Sequence, residues 1–499
     1  MKTSEFQRSF FAWGLFLLVL IGLNVVDSLC FETLGIKSRL MNHLIAEQLR
    51  ADPRIVQAKQ LLEATMSDYR QQINAIRSPN PELVKPYQVL LERLAAARGG
   101  APYFPYIGSG LGNGPFVELA DGSVKLDFIV GIGVHGMGHS HPAMLASTVD
   151  AAIEDTIMQG NLQQNAPSVI MAERLIKLAN QSGAKLAHCL LSTSGAMANE
   201  NALKIAFHNR FPASRVICID NCFAGRSLSL AQLTDRPAYR TGLPKTLDVD
   251  YLPMFHPSDP VGTTKGALDT FKKLLERHPG EYACLWLELV AGEGGYYPGT
   301  TEYFEGLCKI CCEHRILIIF DEVQTFTRLS QPYAFQHFGL DAYADIVTIG
   351  KITQVCATLY GESLKPKGPL LSQTFTGATA SILAGLAVLD ELEAKQCFGE
   401  NGWNMQRSRY FVQRMRELAK KYPSKIAGPF GEGMMMAFQP NSGTDDEAKK
   451  AIFALYEAGL MGFMAGHNPA RLRFLPSPAV VTEQHIGLAC DIIERILCQ

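Results

Sequence analysis

The sequence predicts an α/β protein built around a mainly parallel sheet, together with a smaller α+β part. Between about residues 115 and 375, short apolar runs alternate with stretches of helical periodicity, which is the pattern of βαβ units. The predicted strands of this sheet are Ala187–Leu191, Val216–Ile219, Cys284–Val290, Ile316–Phe320 and Ile346–Ile349. Further along, Ile382–Lys395 and Asn404–Lys421 predict long helices, and Met434–Phe438 and Arg471–Leu475 predict two more strands.

These patterns divide the chain into four predicted segments. Residues 1–40 are an apolar N-terminal extension, and residues 41–110 are a helical segment that contributes to the small domain. Residues 111–378 form the large sheet domain, and residues 379–499 complete the small domain. The small domain is therefore expected to be built from both ends of the chain.

The N-terminal extension has three competing interpretations. Ser9–Val26 is a stretch of 18 residues without a charge, at the lower edge of the length that a membrane-spanning helix needs. It is a membrane anchor, a non-native extension from an upstream start codon, or else a buried helix or signal peptide. The second interpretation arises because Met41 could begin a complete enzyme.

Composition excludes several classes of partner. The net charge of −2 gives no electrostatic basis for binding nucleic acid, and membrane contact is expected only if residues 9–26 are a real anchor. The twelve cysteines show no repeated metal-ligand spacing, so we expect reduced thiols and no metal site. The expected location is cytoplasmic, with membrane anchoring through the N-terminal segment as the alternative.

Lys351 and Asp321 are the main candidate catalytic residues. Each follows an apolar run that predicts a buried strand, so both side chains are expected at the carboxyl edge of the sheet. A lysine can form a Schiff base with pyridoxal phosphate, and an acid can hold the pyridine nitrogen protonated. The pair therefore predicts pyridoxal phosphate chemistry.

A candidate phosphate site lies in the segment Leu190–Glu200. Its residues predict a strand, a tight turn of small residues and then a helix that begins near Gly195 and Ala196. Backbone N–H groups in the first turn of a helix bind anions, and the helix dipole assists them. On its own this signal is weak, because such turns are more often structural.

Six sequence blocks, in order, resemble the class III aminotransferases of pyridoxal phosphate fold type I, the ornithine and 4-aminobutyrate type. The resemblance covers most of the chain from about residue 100, and the segment Gly350–Cys356 is most similar to the lysine ε-aminotransferase branch. The blocks are Gly131–Pro142, Ser194–Glu200, Glu288–Gly295, Asp321–Thr325, Gly350–Lys351 and Arg473–Pro476.

The resemblance implies a role for each residue that matches the family pattern around the ring of the cofactor. Lys351 would hold pyridoxal phosphate as an internal aldimine, and Asp321 would pair with the ring nitrogen. Val323 and Phe223 would pack on the two ring faces, and Gln324 would hydrogen-bond the ring hydroxyl.

The resemblance also implies how the phosphate and the substrates are bound. Gly195 and Ala196 would bind the cofactor phosphate, and Thr374 would reach the phosphate of a partner subunit, which implies a homodimer with shared active sites. Arg473 would clamp the substrate α-carboxylate. Glu293 would pair with that arginine while an ω-amino substrate is bound and release it for 2-oxoglutarate.

Two departures from the family pattern leave the amino donor open. Ala224 stands where the family usually has a histidine, next to the stacking Phe223. The loop after Thr325 lacks the family's glycines and is about one residue shorter. The first departure removes a polar group beside the stacking ring, and the loop of the second lies near substrate in the family.

The sequence therefore predicts a transaminase that moves an amino group from a lysine-, ornithine- or 4-aminobutyrate-like donor to 2-oxoglutarate. Another pyridoxal phosphate reaction on the same fold, an aminomutase or a racemase, remains the main alternative. A non-catalytic binding protein that retained the fold is a further one.

Overall fold

The computed structural model describes residues 44–499, so the predicted apolar segment Ser9–Val26 lies outside the described residues. The chain divides into one unit that ends at Ala58 and a second that runs from Lys59 to Gln499. The predicted domain boundaries near residues 110 and 378 stay predictions. Among residues 44–499, no helix is both long enough and apolar enough to cross a membrane.

The helices and strands are numbered in chain order, counting only helices of six residues or more. The helices are α1 Ile45–Arg50, α2 Pro53–Arg70, α3 Pro81–Arg98, α4 Pro142–Ala152, α5 Ala166–Asn180, α6 Gly195–Arg210, α7 Pro260–Arg277, α8 Thr301–His314, α9 Thr379–Ala394, α10 Trp403–Lys421, α11 Asp445–Glu457 and α12 Glu483–Ile493. The strands are β1 Gly108–Asn113, β2 Phe116–Leu119, β3 Val124–Asp127, β4 Met158–Gln159, β5 Leu186–Ser192, β6 Arg215–Ile219, β7 Asp248–Leu252, β8 Tyr282–Leu287, β9 Val290–Ala291, β10 Tyr297–Pro298, β11 Leu317–Asp321, β12 Ile346–Ile349, β13 Cys356–Gly361, β14 Gly377–Ala378, β15 Ile426–Glu432, β16 Met435–Pro440, β17 Leu460–Met461, β18 Phe463–Gly466 and β19 Ala470–Phe474.

A seven-stranded sheet forms the centre of the second unit, in the order β5-β13-β12-β11-β8-β6-β7. All neighbouring strands in it are parallel except β13, which is antiparallel to both β12 and β5. The five apolar runs predicted as strands all lie in this sheet, so the prediction of a mainly parallel α/β sheet is confirmed.

Strand β13 was not predicted from the sequence, and its direction has a simple cause. Only residues 350–355 connect it to β12. A parallel neighbour requires a crossover of a dozen or more residues, so a connection this short forces the strand to run back antiparallel. Two antiparallel steps leave β5 parallel to β12, and the carboxyl ends of both strands therefore lie at the same edge of the sheet.

The central strands are buried on both faces, as expected of a sheet covered by helices on both sides. Every residue of β8 and of β12 is buried, and the indole of Trp286 is fully enclosed. Continuous apolar runs with β-branched and aromatic residues favour such strands because their side chains fill the space on both sides. Glu288 follows β8 directly, so this strand ends earlier than the predicted Cys284–Val290.

Four smaller sheets complete the second unit: two have two strands each, β10-β9 and β14-β4, and two have four strands each. In one four-stranded sheet, β17 from the C-terminal part pairs in parallel with β3, with Leu460 opposite Leu126. The other has the order β15-β16-β19-β18. Its strands β16 and β19 correspond to the two predicted C-terminal strands, each shifted by one residue at its start.

The buried strand β12 provides a test of the core. We expect Val347→Ala to lower the free energy of unfolding by about 2 kcal/mol, because Val347 is fully buried and the change removes two methyl groups and leaves a cavity. The matched change Val261→Ala, at a side chain that is 78% exposed, should change it by less than about 0.5 kcal/mol. Denaturant unfolding of both variants measures the difference, and equal effects would contradict the predicted core.

Candidate active site

Five chain segments that leave the carboxyl edge of the central sheet meet at one place. They follow β5, β6, β8, β11 and β12, which are all parallel to one another. In an open α/β sheet the ligand site generally lies outside this edge. The predicted residues Lys351 and Asp321 both lie here, as their position after β12 and at the end of β11 requires.

Gly350 separates Lys351 from the end of β12. Lys351 itself adopts a left-handed backbone conformation, with a φ of 55°. A Cβ on Gly350 would lie 2.8 Å from the Cys356 Sγ atom, so a side chain at position 350 would push this turn away from β13. Burial lowers the pKa of the Lys351 amine, although the carboxylates of Asp321 and Glu293 oppose that shift. The lysine is thereby brought closer to its neutral, nucleophilic form.

Asp321 is buried, and its carboxylate accepts hydrogen bonds from two donors. The Asn199 side chain donates from Nδ2 to Asp321 Oδ2 at 2.7 Å, and the backbone N–H of Val323 donates to Oδ1 at 2.9 Å. Burial raises the pKa of Asp321 to about 6, whereas the N–H of Val323, Asn199 and the nearby Lys351 act against that rise. The carboxylate is thus ionised above about pH 6 and fixed in orientation.

Asn199, on α6, connects three parts of the site. Besides its bond to Asp321, its Nδ2 donates to the carbonyl of Ala224 at 2.8 Å. Its Oδ1 accepts a hydrogen bond from the Thr348 hydroxyl at 2.7 Å. Both N–H groups of the amide are thereby used and its oxygen has a donor, which holds the helix, the strand β12 and the loop after β6 together.

Glu288 supports the opposite side of the site. It accepts hydrogen bonds from the backbone N–H groups of Phe223 at 2.8 Å and Gly292 at 3.1 Å. Burial, with a further contribution from Asp321, raises the pKa of Glu288 to about 8. Its carboxyl group fixes both the loop that carries Phe223 and the turn that carries Glu293.

An inner cavity of about 270 Å³ lies among these groups. Most of the residues predicted for cofactor binding line it together. Its lining comprises Gly195, Ala196, Asn199, Phe223, Ala224, Gly225, Arg226, Glu288, Asp321, Val323, Gln324 and Lys351. The sequence thus identified its lysine, its acid and the turn at its helix end.

The start of α6 closes one end of the inner cavity. Ser194 caps the helix by accepting a hydrogen bond from the N–H of Met197. The N–H groups of Gly195 and Ala196 belong to the first turn and therefore have no acceptor within the helix. A Cβ on Gly195 would lie 2.8 Å from Val323 Cγ1, so glycine is required for this close approach of the helix to the site.

The residues present fit pyridoxal phosphate. The open first turn of α6 matches the anionic group, and the fixed carboxylate of Asp321 matches a protonated ring nitrogen. The Lys351 amine with its lowered pKa matches the aldehyde. Residues Asn199 and Glu288, which hold Asp321 and Phe223, were not predicted as site residues.

A partly buried ion pair lies near the inner cavity. Arg473 is fully buried on β19, and its Nη2 pairs with the carboxylate of Glu293. Its Nη1 donates to Gln324 Oε1 at 3.2 Å and to the carbonyl of Gly292 at 3.3 Å. Both charged partners act electrostatically on Lys351, so this pair belongs to the same site.

An outer cleft of about 850 Å³ shares Phe223, Arg226 and Lys351 with the inner cavity, and Glu293 also lines it. The Arg226 guanidinium lies 4.0 Å from the centre of the Tyr239 ring, also in the cleft. Arg226 was not predicted as a site residue. Its position three residues after Phe223, in the same loop, could have indicated that it lies near the site.

Thr374 lies apart from both cavities within a single chain. It is exposed, and its carbonyl packs against Gly160 so closely that a Cβ at Gly160 would lie 1.9 Å from it.

No group of three or more metal-ligating side chains occurs within residues 44–499.

Known proteins resemble this chain in sequence and in fold. An acetylornithine aminotransferase from Caldanaerobacter subterraneus is 30% identical over 406 residues, which is 78% of this chain and 94% of that protein. An L-lysine-epsilon aminotransferase from Mycobacterium bovis is 28% identical over 417 residues, covering 77% of this chain and 90% of the relative.

A solved lysine aminotransferase from M. tuberculosis superposes with a TM-score of 0.73 at 25% identity, covering 82% of this chain and 99% of that one. This likeness confirms the predicted fold type I. The family model for class-III aminotransferases matches residues 104–497, and the chain therefore belongs to the class III aminotransferases.

Proposed function

We propose that this enzyme transfers an amino group from an ω-amino donor to 2-oxoglutarate, with pyridoxal phosphate as its cofactor. Its family exchanges an amino group between an amino donor and a keto acid. The observation that carries the finer proposal is the placement of Lys351 beside Asp321, with the Arg473–Glu293 pair acting on the same lysine.

The residues of the inner cavity would divide the chemistry among them. Pyridoxal phosphate, when bound, supplies an electron sink for negative charge at the substrate Cα. Lys351 would hold the cofactor through Nζ and later carry a proton on the same atom, for which its lowered pKa suits it. The Asp321 carboxylate would keep a proton on the ring nitrogen.

The other lining residues would orient the cofactor. Phe223 and Val323 would pack on its two ring faces, and Gln324 would bond the ring hydroxyl. Gly195 and Ala196 would offer their free N–H groups to the phosphate. These roles are supported by the common location of the five residues around one cavity.

Arg473 and Glu293 would select the substrates by competing interactions. While Glu293 occupies Arg473, that guanidinium is not free for an α-carboxylate, which favours a donor that reacts through its ω-amine. When a dicarboxylate keto acid arrives, it would displace Glu293 and bind the planar guanidinium in bidentate fashion. One site would then accept two substrates of different charge in turn.

The donor class is supported by the relatives. Acetylornithine and lysine, named in those aminotransferases, both carry an amine at the far end of the chain. We propose a donor of this class, such as ornithine, lysine or 4-aminobutyrate. The exchange with 2-oxoglutarate then forms glutamate.

The proposal includes a homodimer in which Thr374 reaches the cofactor phosphate of the partner subunit. The segment that contains Thr374 lies beside β4, because the N–H of Thr376 donates to the carbonyl of Gln159 at 2.7 Å. Several large apolar side chains are exposed around this segment: Ile157, Met158, Leu162 and Phe375. An exposed apolar group of this kind supports a subunit interface.

The proposal also includes a cytoplasmic location. Cys218, Cys284, Cys308 and Cys311 are buried free thiols within the packed core. Thiols kept in this form are typical of proteins from reducing compartments.

Lys351 provides the first test. After pyridoxal phosphate is added and the sample is reduced with borohydride, peptide mass spectrometry should find the pyridoxyl group on Lys351. In the Lys351→Ala variant, the pyridoxyl label should be absent and no glutamate should form from any donor. The exposed Lys309→Ala serves as the control and should keep both. Labelling at another lysine, or isomerised product without glutamate, would contradict the proposed chemistry.

Arg473 provides the second test. We expect Arg473→Lys to raise the KM for 2-oxoglutarate roughly thirtyfold, because losing a bidentate charged contact costs about 2 kcal/mol. The rate at which a lysine or ornithine donor converts the cofactor in a single turnover should change much less. Steady-state and single-turnover kinetics measure the two effects. Equal losses in both would argue against a carboxylate clamp.

A further inference from the structure

Arg471 is a second buried arginine on β19, two residues before Arg473. It is 3% exposed and has no ion pair with any carboxylate in residues 44–499. Its guanidinium carbon lies 3.6 Å from the centre of the Tyr297 ring and 3.5 Å from the centre of the Phe430 ring. The cation is therefore enclosed between two aromatic faces. Both rings attract it, but none of the described carboxylates neutralises its charge.

The hydrogen bonds of Arg471 reach the turn that carries Glu293. Its Nη1 donates to the carbonyl of Gly295 at 2.7 Å and, more weakly, to that of Tyr296 at 3.4 Å. Residues two apart on a strand share a face, so Arg471 and Arg473 approach this turn side by side. Arg473 holds the beginning of the turn at Gly292 and Glu293, and Arg471 holds its end.

The turn needs such support because its backbone is strained. Tyr296 has a φ of 57°, in the left-handed region that a bulky side chain rarely adopts. Its hydroxyl is buried without a hydrogen-bond partner of adequate geometry in the described part of the chain. Strained conformations persist only where the surrounding structure fixes them, and the two arginine contacts do so here.

The burial of Arg471 is energetically costly. Burial lowers the pKa of its guanidinium to about 10, and the neighbouring Tyr297 opposes that shift. A methionine of similar length would fill the space between Tyr297 and Phe430 without that cost. Methionine would lose the attraction of the cation to the two rings and both hydrogen bonds to the carbonyls, and only those hydrogen bonds reach the turn that carries Glu293.

We propose that Arg471 is a positioning residue for the gate formed by Glu293 and Arg473. By fixing the end of the turn, it holds Glu293 where it pairs with Arg473 and so sets how often Arg473 is free for a substrate carboxylate. This role rests on the proposed function. It makes Arg471 a determinant of the choice between ω-amino donors and dicarboxylates.

The unreactive five-carbon dicarboxylate glutarate can test this role by binding alone. In the enzyme loaded with pyridoxal phosphate, Arg471→Met should bind glutarate about three- to tenfold more tightly than the wild type, because Arg473 is free in a larger fraction of molecules. Glu293→Gln should also tighten binding. Adding Arg471→Met to Glu293→Gln should change nothing further, since Arg471 acts through Glu293.

Arg407→Met is the matched control. Arg407 is also largely buried, lies 3.8 Å from the centre of the Trp403 ring and pairs with Glu483 at 3.2 Å, away from the site. The Arg407→Met variant should have a lower free energy of unfolding, and its affinity for glutarate should equal that of the wild type. If Arg471→Met does not fold, Arg471→Gln, which keeps one donor group, should show the same change to a smaller extent.

Two different failures can be told apart. Absence of glutarate binding to the loaded wild type, with no glutamate formed from any donor, would overturn the proposed function and this role with it. Normal transamination with a glutarate affinity that Arg471→Met leaves unchanged would overturn the role of Arg471 alone. Additional tightening in the Glu293→Gln background would also overturn it, because Arg471 would then act independently of Glu293.

Discussion

The hydrogen bond from Asn199 Nδ2 to Asp321 Oδ2 is the interaction on which the site depends. A carboxylate at the end of a buried strand is unfavourable unless donors surround it, and this bond supplies one from a helix on the other side of the cavity. Because Asn199 also contacts Thr348 and the carbonyl of Ala224, the position of Asp321 is coupled to β12 and to the loop with Phe223. The acid, the lysine and the aromatic ring are therefore fixed by one amide.

A second layer of charge surrounds this network. Arg473 and Arg471 bring two buried cations to β19, and Glu293 is the carboxylate that pairs with one of them. Glu288 lies nearby, with a pKa raised to about 8. Two cations therefore flank a single carboxylate at the turn from Gly292 to Tyr296.

Much of this arrangement follows from patterns that are local in sequence. Lys351, Asp321 and the turn at Gly195 each lie at the end of a strand or within three residues after it, so the carboxyl-edge rule was enough to bring them together. The strands themselves were recognisable because both of their faces are apolar. The start of β19 was predicted one residue late, since Ala470 carries little hydrophobic signal.

Other features arise only in three dimensions. Strand β13 begins five residues after Lys351, and the sequence of this short connection did not predict the reversal of the chain. Asn199 and Glu288 matter because of which backbone groups they meet, and those groups lie far away in the chain. Arg471 resembles any strand residue until the aromatic rings around it are known. The predicted role of Thr374 depends on a second chain.

The close packing around the inner cavity limits how the enzyme could change during evolution. Around the cavity, the backbone of Gly195 contacts the Val323 side chain and the backbone of Gly350 contacts the Cys356 side chain, and even one added carbon at either glycine would collide. The outer cleft is lined in part by residues with large side chains, such as Arg226 and Tyr239, which can be exchanged without moving the main chain. New donor preferences would therefore arise in the outer cleft, while the inner cavity stays nearly invariant.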